Sequence, residues 1–367
     1  MELSGLTIRN FRNLASLDLE LPSAGVVVLG DNGQGKTNLL EAIYYLVLFR
    51  SLRGAKDREL VRFGEEGFFV GGRTVRRSDG QTGAHDLKIA AGYQTDGKRK
   101  KISLDGVAVT RLSEAVGKIL AVPFAPADRV IVAGPASGRR RYLDVLLSLA
   151  EPGYLARLSE MRAALKQRNA ALRRGRSDEA RAFDEPLADA AARVLETRTR
   201  WVDRWSPRFG ALTAALGERA EARMRYRAQR PPTADPRSQL LDLLAAHQAR
   251  DLRQGVTTVG AHRDDLELSL EGHELRTYGS AGQQRTAAIA LRLVEAETLK
   301  DSAGSPPIAL YDDVFAELDE DRQGRLLTLI HETLPGQAIV AAPRESEVSA
   351  SMLDRPRWRV KGGRIAA

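Results

Sequence analysis

The stretch Gly30-Asp31-Asn32-Gly33-Gln34-Gly35-Lys36-Thr37 decides the reading of this chain. It fits the phosphate-binding pattern G-x-x-x-x-G-K-[ST], which a chain of this length matches by chance on the order of 0.01 times. Its flanks agree. Val26-Val27-Val28-Leu29 is a short apolar run, as expected of a strand buried on both faces. Leu39, Leu40, Ile43, Leu46 and Val47 follow at helical spacing. Glycines between a strand and a helix let successive N–H groups turn onto a phosphate, and the helix start adds its positive dipole end. Residues Gly30 to Thr37 are the expected nucleotide-binding loop, with Lys36 reaching the β- and γ-phosphates and Thr37 ligating Mg²⁺.

Two further segments complete the pattern. Ile308-Ala309-Leu310-Tyr311-Asp312-Asp313 is an apolar run ending in acids, and open parallel sheets deliver ligands at the carboxyl ends of their strands. Asp312 is expected in the magnesium shell, and Asp313 is expected to polarise the attacking water. Tyr278-Gly279-Ser280-Ala281-Gly282-Gln283-Gln284-Arg285 precedes a long helical pattern, with Ser280 a natural N-cap. Ser280, Gly282 and Gln283 at a helix start would form a second anion site. One nucleotide needs a single phosphate loop, so this site makes sense if it closes over the γ-phosphate bound by another protomer.

Residues 3–9 and 17–21 alternate in the manner of half-buried strands, and strands are also expected over 68–75, 87–93 and 101–109. Asp96-Gly97 and Asp105-Gly106 are hairpin turns. From Leu112 to about Arg253 the pattern is mostly helical. Pro186 suits a first helical position. After it Leu187, Ala191, Val194, Arg198, Trp201 and Trp205 form an apolar seam with one basic member. An earlier seam runs Leu158, Met161, Leu165, Leu172, and 173–178 reads as the turn between two antiparallel helices. Strands at 256–259 and 266–270, a helix from Ala281, and apolar runs at 308–311 and 339–342 restore the α/β character. The expected organisation is one discontinuous α/β domain, 1–111 with 255–367, interrupted by a helical insert over 112–254.

Composition narrows the class. The 367 residues carry 56 Lys+Arg against 48 Asp+Glu, a net charge of +8. Residues 151–250 hold 20 Arg+Lys against 13 Asp+Glu, nearly all the excess. The absence of cysteine excludes disulfides, iron–sulfur clusters, thiolate zinc sites and a Cys nucleophile. No run approaches the ~18 apolar residues of a spanning helix, and the first residues lack a signal-peptide core. A cytoplasmic protein without a membrane partner is expected. Duplex contacts would come from cations facing phosphates. Candidates are Lys98, Arg99, Lys100 and Lys101 in a hairpin, and Arg223, Arg225 and Arg227 in the insert; each suits a solvated face equally. Aromatics at 5% offer no stacking platform for single strands.

The three motifs together resemble the ATP-binding-cassette ATPases, with Ser280–Gln283 as the signature and Glu317-Leu318-Asp319 at the place of the D-loop. Asn10-Phe11-Arg12 resembles the N-terminal segment of the chromosome-maintenance branch, where an arginine, here Arg12, approaches the nucleotide. Asp313 stands where many cassettes have glutamate, and Pro343 follows the last apolar strand where transporters place a histidine. Both argue against a transporter engine. Within the superfamily the chain is similar to the RecF family over essentially its whole length. The similarity rests on Asn10–Asn13, Asn32–Thr37, Phe124–Asp128, Gly134–Asp144, Ala261–Asp265, Ser280–Thr286 and Asp312–Asp319. It implies a cassette-type ATPase head (a phosphate-loop parallel sheet plus an antiparallel lobe) with a helical insert. It also implies ATP and Mg²⁺ as cofactors, weak DNA-stimulated ATPase activity with Asp313 and Lys36 as catalytic residues, and an ATP-dependent homodimer on DNA. Gap repair and replication restart with RecO and RecR follow from the same resemblance. A general clamp of the chromosome-maintenance kind, outside that pathway, is the alternative.

Overall fold

The computed structural model describes residues 1–76, 85–230, 233–315, 320–349, 352 and 354–366. The chain forms two compact units, one of residues 1–128 with 295–367 and one of residues 129–294.

In chain order the first unit begins with β1 (Glu2–Phe11), β2 (Leu14–Glu20), β3 (Gly25–Leu29) and α1 (Lys36–Leu48). It continues with β4 (Gly67–Arg76), β5 (His85–Gln94), β6 (Arg99–Leu104), β7 (Val107–Ala108), α2 (Leu112–Ala115) and β8 (Ala121–Phe124). The second unit holds α3 (Arg129–Ala133), α4 (Ala136–Ala150), α5 (Tyr154–Arg173), α6 (Ser177–Arg181) and α7 (Asp184–Ala215). After these come β9 (Ala222–Arg227), α8 (Pro236–Gln254), β10 (Asp265–Leu270), β11 (His273–Glu274) and α9 (Leu275–Tyr278). The helix α10 (Ala281–Ala303) leads back to the first unit, which ends with β12 (Ile308–Asp312), α11 (Glu320–Thr333), β13 (Ala338–Ala342), β14 (Arg357–Lys361) and β15 (Arg364–Ala366).

The first unit has two six-stranded sheets. One is antiparallel, in the order β2-β1-β4-β5-β6-β7; the other runs β15-β14-β3-β13-β12-β8 and is parallel apart from β15. Every residue of β3, β8 and β13 is buried, which is why these strands read as continuous apolar runs. One residue stitches the sheets together. Gln337 is 1% exposed; its amide accepts from Leu3 N at 2.8 Å and donates to Leu3 O and Pro22 O, both at 2.9 Å. The antiparallel sheet packs on α1 through Phe11, Tyr45 and Phe68, whose rings meet edge to face at 5.2–6.0 Å.

The unit boundaries differ from the sequence expectation of 111/112 and 254/255, which followed the change in hydrophobic period. β8 belongs to the parallel sheet through its pairing with β12, so 112–128 stays with the first unit. The second unit is not purely helical either. Its three-stranded sheet, β11-β10-β9, includes a strand inside the tract expected to be helix. Residues 256–259 form no strand; β10 pairs with β9 instead. Residues 222–227 do alternate apolar and basic, but the strand is only six residues long and sits within a tract whose period is otherwise helical. Pro186 is the third residue of α7, not its first.

The seam of α7 is buried throughout, including its basic member. Arg198 donates to Asp144 at 2.6 Å, to Tyr154 Oη at 3.0 Å, to Tyr226 Oη at 3.1 Å and to Ala261 O at 2.8 Å. A second buried cation, Arg168, pairs with Asp184 and Asp251 at 2.7 Å each. Removing one partner of such a pair costs about 3–5 kcal/mol, because the remaining charge is stranded. His262, whose Nε2 lies 3.1 Å from Thr257 O, is pulled down to about 4 by burial. An unfolded histidine titrates near 6.5. Between these values the unfolded chain takes up a proton that the folded chain refuses, so this term is full above about 6.5 and lost as the pH falls toward 4. Integrated to pH 5 the loss is about 2 kcal/mol. We expect His262→Gln, which keeps a donor for Thr257, to flatten the fall in melting temperature between pH 7 and pH 5; parallel curves for the two proteins would refute the assignment.

Candidate functional site

The phosphate loop sits between β3 and α1, where the fully buried strand ends and the helix begins at Lys36. Gly33 and Gly35 have φ of +79° and +118°, values that L side chains rarely adopt. At Gly35 a Cβ would also lie 2.8 Å from Asn13 Oδ1. Lys36 is 4% exposed, and its ammonium donates to Gly30 O at 2.6 Å and Asp31 O at 3.3 Å. The loop thus closes around its own lysine, leaving a cation at the loop's centre.

The outer side of the loop is clasped. Asn13 Nδ2 donates to Gln34 O at 3.0 Å, and Asn13 Oδ1 accepts from Asn38 at 2.9 Å. The turn between β14 and β15 adds Gly363 N to Gln34 O at 2.9 Å and Gly362 N to the Gln34 side-chain oxygen at 2.7 Å. With the Gln34 carbonyl occupied outward by two donors, the N–H of the same trans peptide faces the opposite way, toward an incoming phosphate. Gly363 is required there: its φ is +76°, and a Cβ would stand 2.1 Å from Asn13 O.

β12 lies two strands from β3 and brings its terminal acids to the loop. Thr37 Oγ1 donates to Asp312 Oδ1 at 2.9 Å across 275 residues of sequence. Burial pushes the Asp312 carboxyl up, the Thr37 bond opposes this, and the neighbouring Asp313 charge adds to it. Asp313 has a left-handed φ of 50° and an Oδ1 that is buried and accepts no hydrogen bond. Burial raises its carboxyl too, partly offset by Lys36, which makes it a better base than an ordinary aspartate. Thr37 and Asp312 offer hard oxygens of the kind Mg²⁺ takes. No cluster of three acidic or histidine ligands occurs among the described residues.

Arg12 reaches the site's edge. Its guanidinium donates to Glu41 at 3.1 Å and to Glu59 O at 3.1 Å. Glu41 is fully buried; burial disfavours its charge, but hydrogen bonds from Ser51, Arg53 and Arg12 hold it below the usual carboxylate range. Arg53 also donates to Asn38 at 2.6 Å. Sequence reading passed over Glu41 and Arg53, although an acid inside the apolar pattern of α1 was a visible signal. It also passed over the clasp, whose trace is the Gly362-Gly363 pair.

In the second unit the expected cap is present. Ser280 Oγ accepts from Gln283 N at 3.2 Å, and Gln283 Oε1 accepts from Ser280 N at 3.0 Å, a reciprocal capping pair on an exposed residue. Gly282 opens the same first turn. Asp319 lies outside the described residues. Among the DNA candidates, Lys98, Arg99 and Lys101 are exposed. Lys100 is a correction: the strand's alternation turns it inward, onto Phe49 O, onto Asp57 at 3.1 Å and over the Tyr45 ring. Arg223, Arg225 and Arg227 lie on the outer face of β9 rather than on a helix, with Arg223 bonded to Glu221 and Arg227 near Glu267 at 3.7 Å.

A phosphate loop on β3–α1, paired acids at the end of β12 and a serine-capped signature helix define an ATP-binding-cassette-type ATPase head with an inserted second unit. The sequence model described as "RecF/RecN/SMC N terminal domain" matches residues 2–355. The DNA replication and repair protein RecF of Anaeromyxobacter dehalogenans (strain 2CP-1) is 40% identical, covering 93% of this chain and 92% of its own. That of Lactobacillus delbrueckii subsp. bulgaricus is 38% identical, over 100% and 97%. Among solved structures, the recombination mediator RecF–ATP of the RecFOR pathway superposes with a TM-score of 0.90 at 31% identity, over 100% and 97% of the chains. An Smc head domain from Pyrococcus furiosus shares the fold at a TM-score of 0.56 and 16% identity, over 99% and 95%. The chain belongs to the RecF family.

Proposed function

We propose that this chain is an ATP-dependent DNA-binding protein of gap repair and replication restart. In this reading slow, DNA-stimulated hydrolysis switches a homodimer, and RecO and RecR are its partners in loading recombinase. The observation that carries the nucleotide half is the Thr37–Asp312 bond beside Lys36, which assembles a phosphate-binding and metal-binding edge from residues 275 apart. The DNA half rests on the RecF relatives, which are named for DNA replication and repair.

Thr37 and Asp312 would hold Mg²⁺, which when bound neutralises charge on the β- and γ-phosphates. The inward N–H groups of the loop and the Lys36 ammonium orient the phosphates. Asp313 takes a proton from the water whose oxygen attacks the γ-phosphorus as the bond to the bridging oxygen breaks. Ser280, Gly282 and Gln283 of a second copy close over the γ-phosphate. ATP then favours the dimer only by its extra affinity for that state, and ADP, lacking the γ-phosphate, does not.

The test is Asp313→Asn, which keeps a residue type tolerant of the left-handed backbone but removes the base. We expect ATP turnover at least 100-fold slower and an ATP-bound dimer that persists in sedimentation. Turnover at the parent rate would dismiss Asp313 as the base, and a parent chain that stayed monomeric with ATP would dismiss the switch.

A further inference from the structure

Between Arg355 and Ala366 the chain carries five cations, Arg355, Arg357, Arg359, Lys361 and Arg364, and no acid. Strand alternation sorts them. Trp358 and Val360 are buried at 5% and 3%, while Arg357, Arg359 and Lys361 point outward. On β15, Arg364 also points outward and stands directly opposite Lys361 in the register. Two of the five have partners within the fold: Arg355 donates to Ala24 O at 2.8 Å, and Arg357 pairs with Glu345 at 2.7 Å. Arg359, Lys361 and Arg364 form no salt bridge among the described residues.

Like charges directly opposed across a hairpin destabilise it, so the fold gains nothing from the Lys361–Arg364 pair. An edge strand benefits from a charge that discourages pairing with another sheet, which accounts for Arg364. It does not account for Arg359, which is paired on both sides, with Leu29 of β3 and Ala366 of β15. An unbalanced row of cations on a rigid two-stranded ribbon suits a repeating anion. Arginine adds a planar fork that chelates phosphate oxygens. Among the described residues, neither strand of the hairpin exposes a large apolar side chain, as a membrane anchor would need.

We propose that the outward face of the terminal hairpin, built on Arg359, Lys361 and Arg364, binds the phosphate backbone of duplex DNA. This assignment rests on the DNA-binding reading above. The hairpin's turn supplies the two N–H groups that clasp Gln34, so a duplex held there lies behind the nucleotide loop.

The experiment is a salt titration of duplex binding by the full chain with ATP, comparing the parent with the triple variant R359Q/K361Q/R364Q. Each phosphate contact contributes about 0.9 to the log–log salt slope. The variant should lose two to three from that slope and bind about tenfold or more weakly near 0.1 M salt. Its ATP affinity without DNA should stay within twofold, since the clasp uses backbone groups only. The charge-keeping variant R359K/R364K should hold the parent slope. An unchanged slope in the triple variant, with the parent binding duplex normally, overturns this site and leaves the DNA reading intact. A parent that binds no duplex overturns both. Loss of binding to phosphatidylserine vesicles, with DNA binding untouched, would reassign the face to membranes.

Discussion

Ser280→Arg should leave ATP binding within about twofold of the parent and abolish the ATP-dependent dimer. Ser280 is exposed, and its hydroxyl serves only the first turn of its own helix, through Gln283 N. Losing an N-cap costs about 1 kcal/mol, too little to unfold a domain. The phosphate loop belongs to the other compact unit. A cation and a long side chain would, however, occupy the place where a serine cap and helix N–H groups should receive the γ-phosphate of a partner's nucleotide. Sedimentation with ATP, beside a nucleotide titration, separates the two effects. A Ser280→Arg protein that still dimerised with ATP would remove the signature from the interface.

Lys36→Met should weaken ATP at least about 100-fold and lose the dimer with it. The ammonium is buried and its two carbonyl partners belong to the loop itself. Charge-assisted hydrogen bonds to phosphate are worth about 1.5–3 kcal/mol each, and losing two, to the β- and γ-phosphates, accounts for about a hundredfold or more. Methionine keeps most of the buried volume, so the melting temperature should move little. Nucleotide affinity within threefold of the parent would show that the loop does not bind phosphate through Lys36. The pair of variants discriminates cause from consequence: one removes binding and association together, the other association alone.

Three strands of the parallel sheet, β3, β12 and β13, were legible because they are short apolar runs buried on both faces, whereas β8, β14 and β15 were not read. The loop and the acid pair were legible because phosphate chemistry dictates residue type and spacing together. That chemistry singled out Lys36 and Asp312, but not the partners they have here, Gly30 O and Asp31 O for the one and Thr37 for the other. Four features were hidden for physical reasons. β9 alternates strictly, with Ala222, Met224 and Tyr226 inside and three arginines outside, but its six residues lie within a tract whose period is otherwise helical. Lys100 differs from Arg99 and Lys101 only by alternation within a basic run. Arg198 reads as a flaw in an apolar seam until Asp144, from another helix, is seen beside it. The clasp on Gln34 joins positions more than 300 apart through backbone N–H groups, whose one mark in the sequence is the Gly362-Gly363 pair.

The order of strands in the parallel sheet has a consequence for biosynthesis. β3, which leads into the phosphate loop, has β13 and β14 as its neighbours, and Gln337 is the residue that ties both sheets to the segment before it. At about 5–20 residues per second on the ribosome, roughly 15–60 s separate the emergence of β3 from that of its partners. Residues 129–294, which form a compact unit of their own, can close during that interval. Meanwhile Val26–Leu29 waits as an apolar strand with both edges open, the kind of segment that pairs wrongly with other chains. ATP cannot stabilise this nascent chain by mass action, because its site is finished only by the last strands to be made.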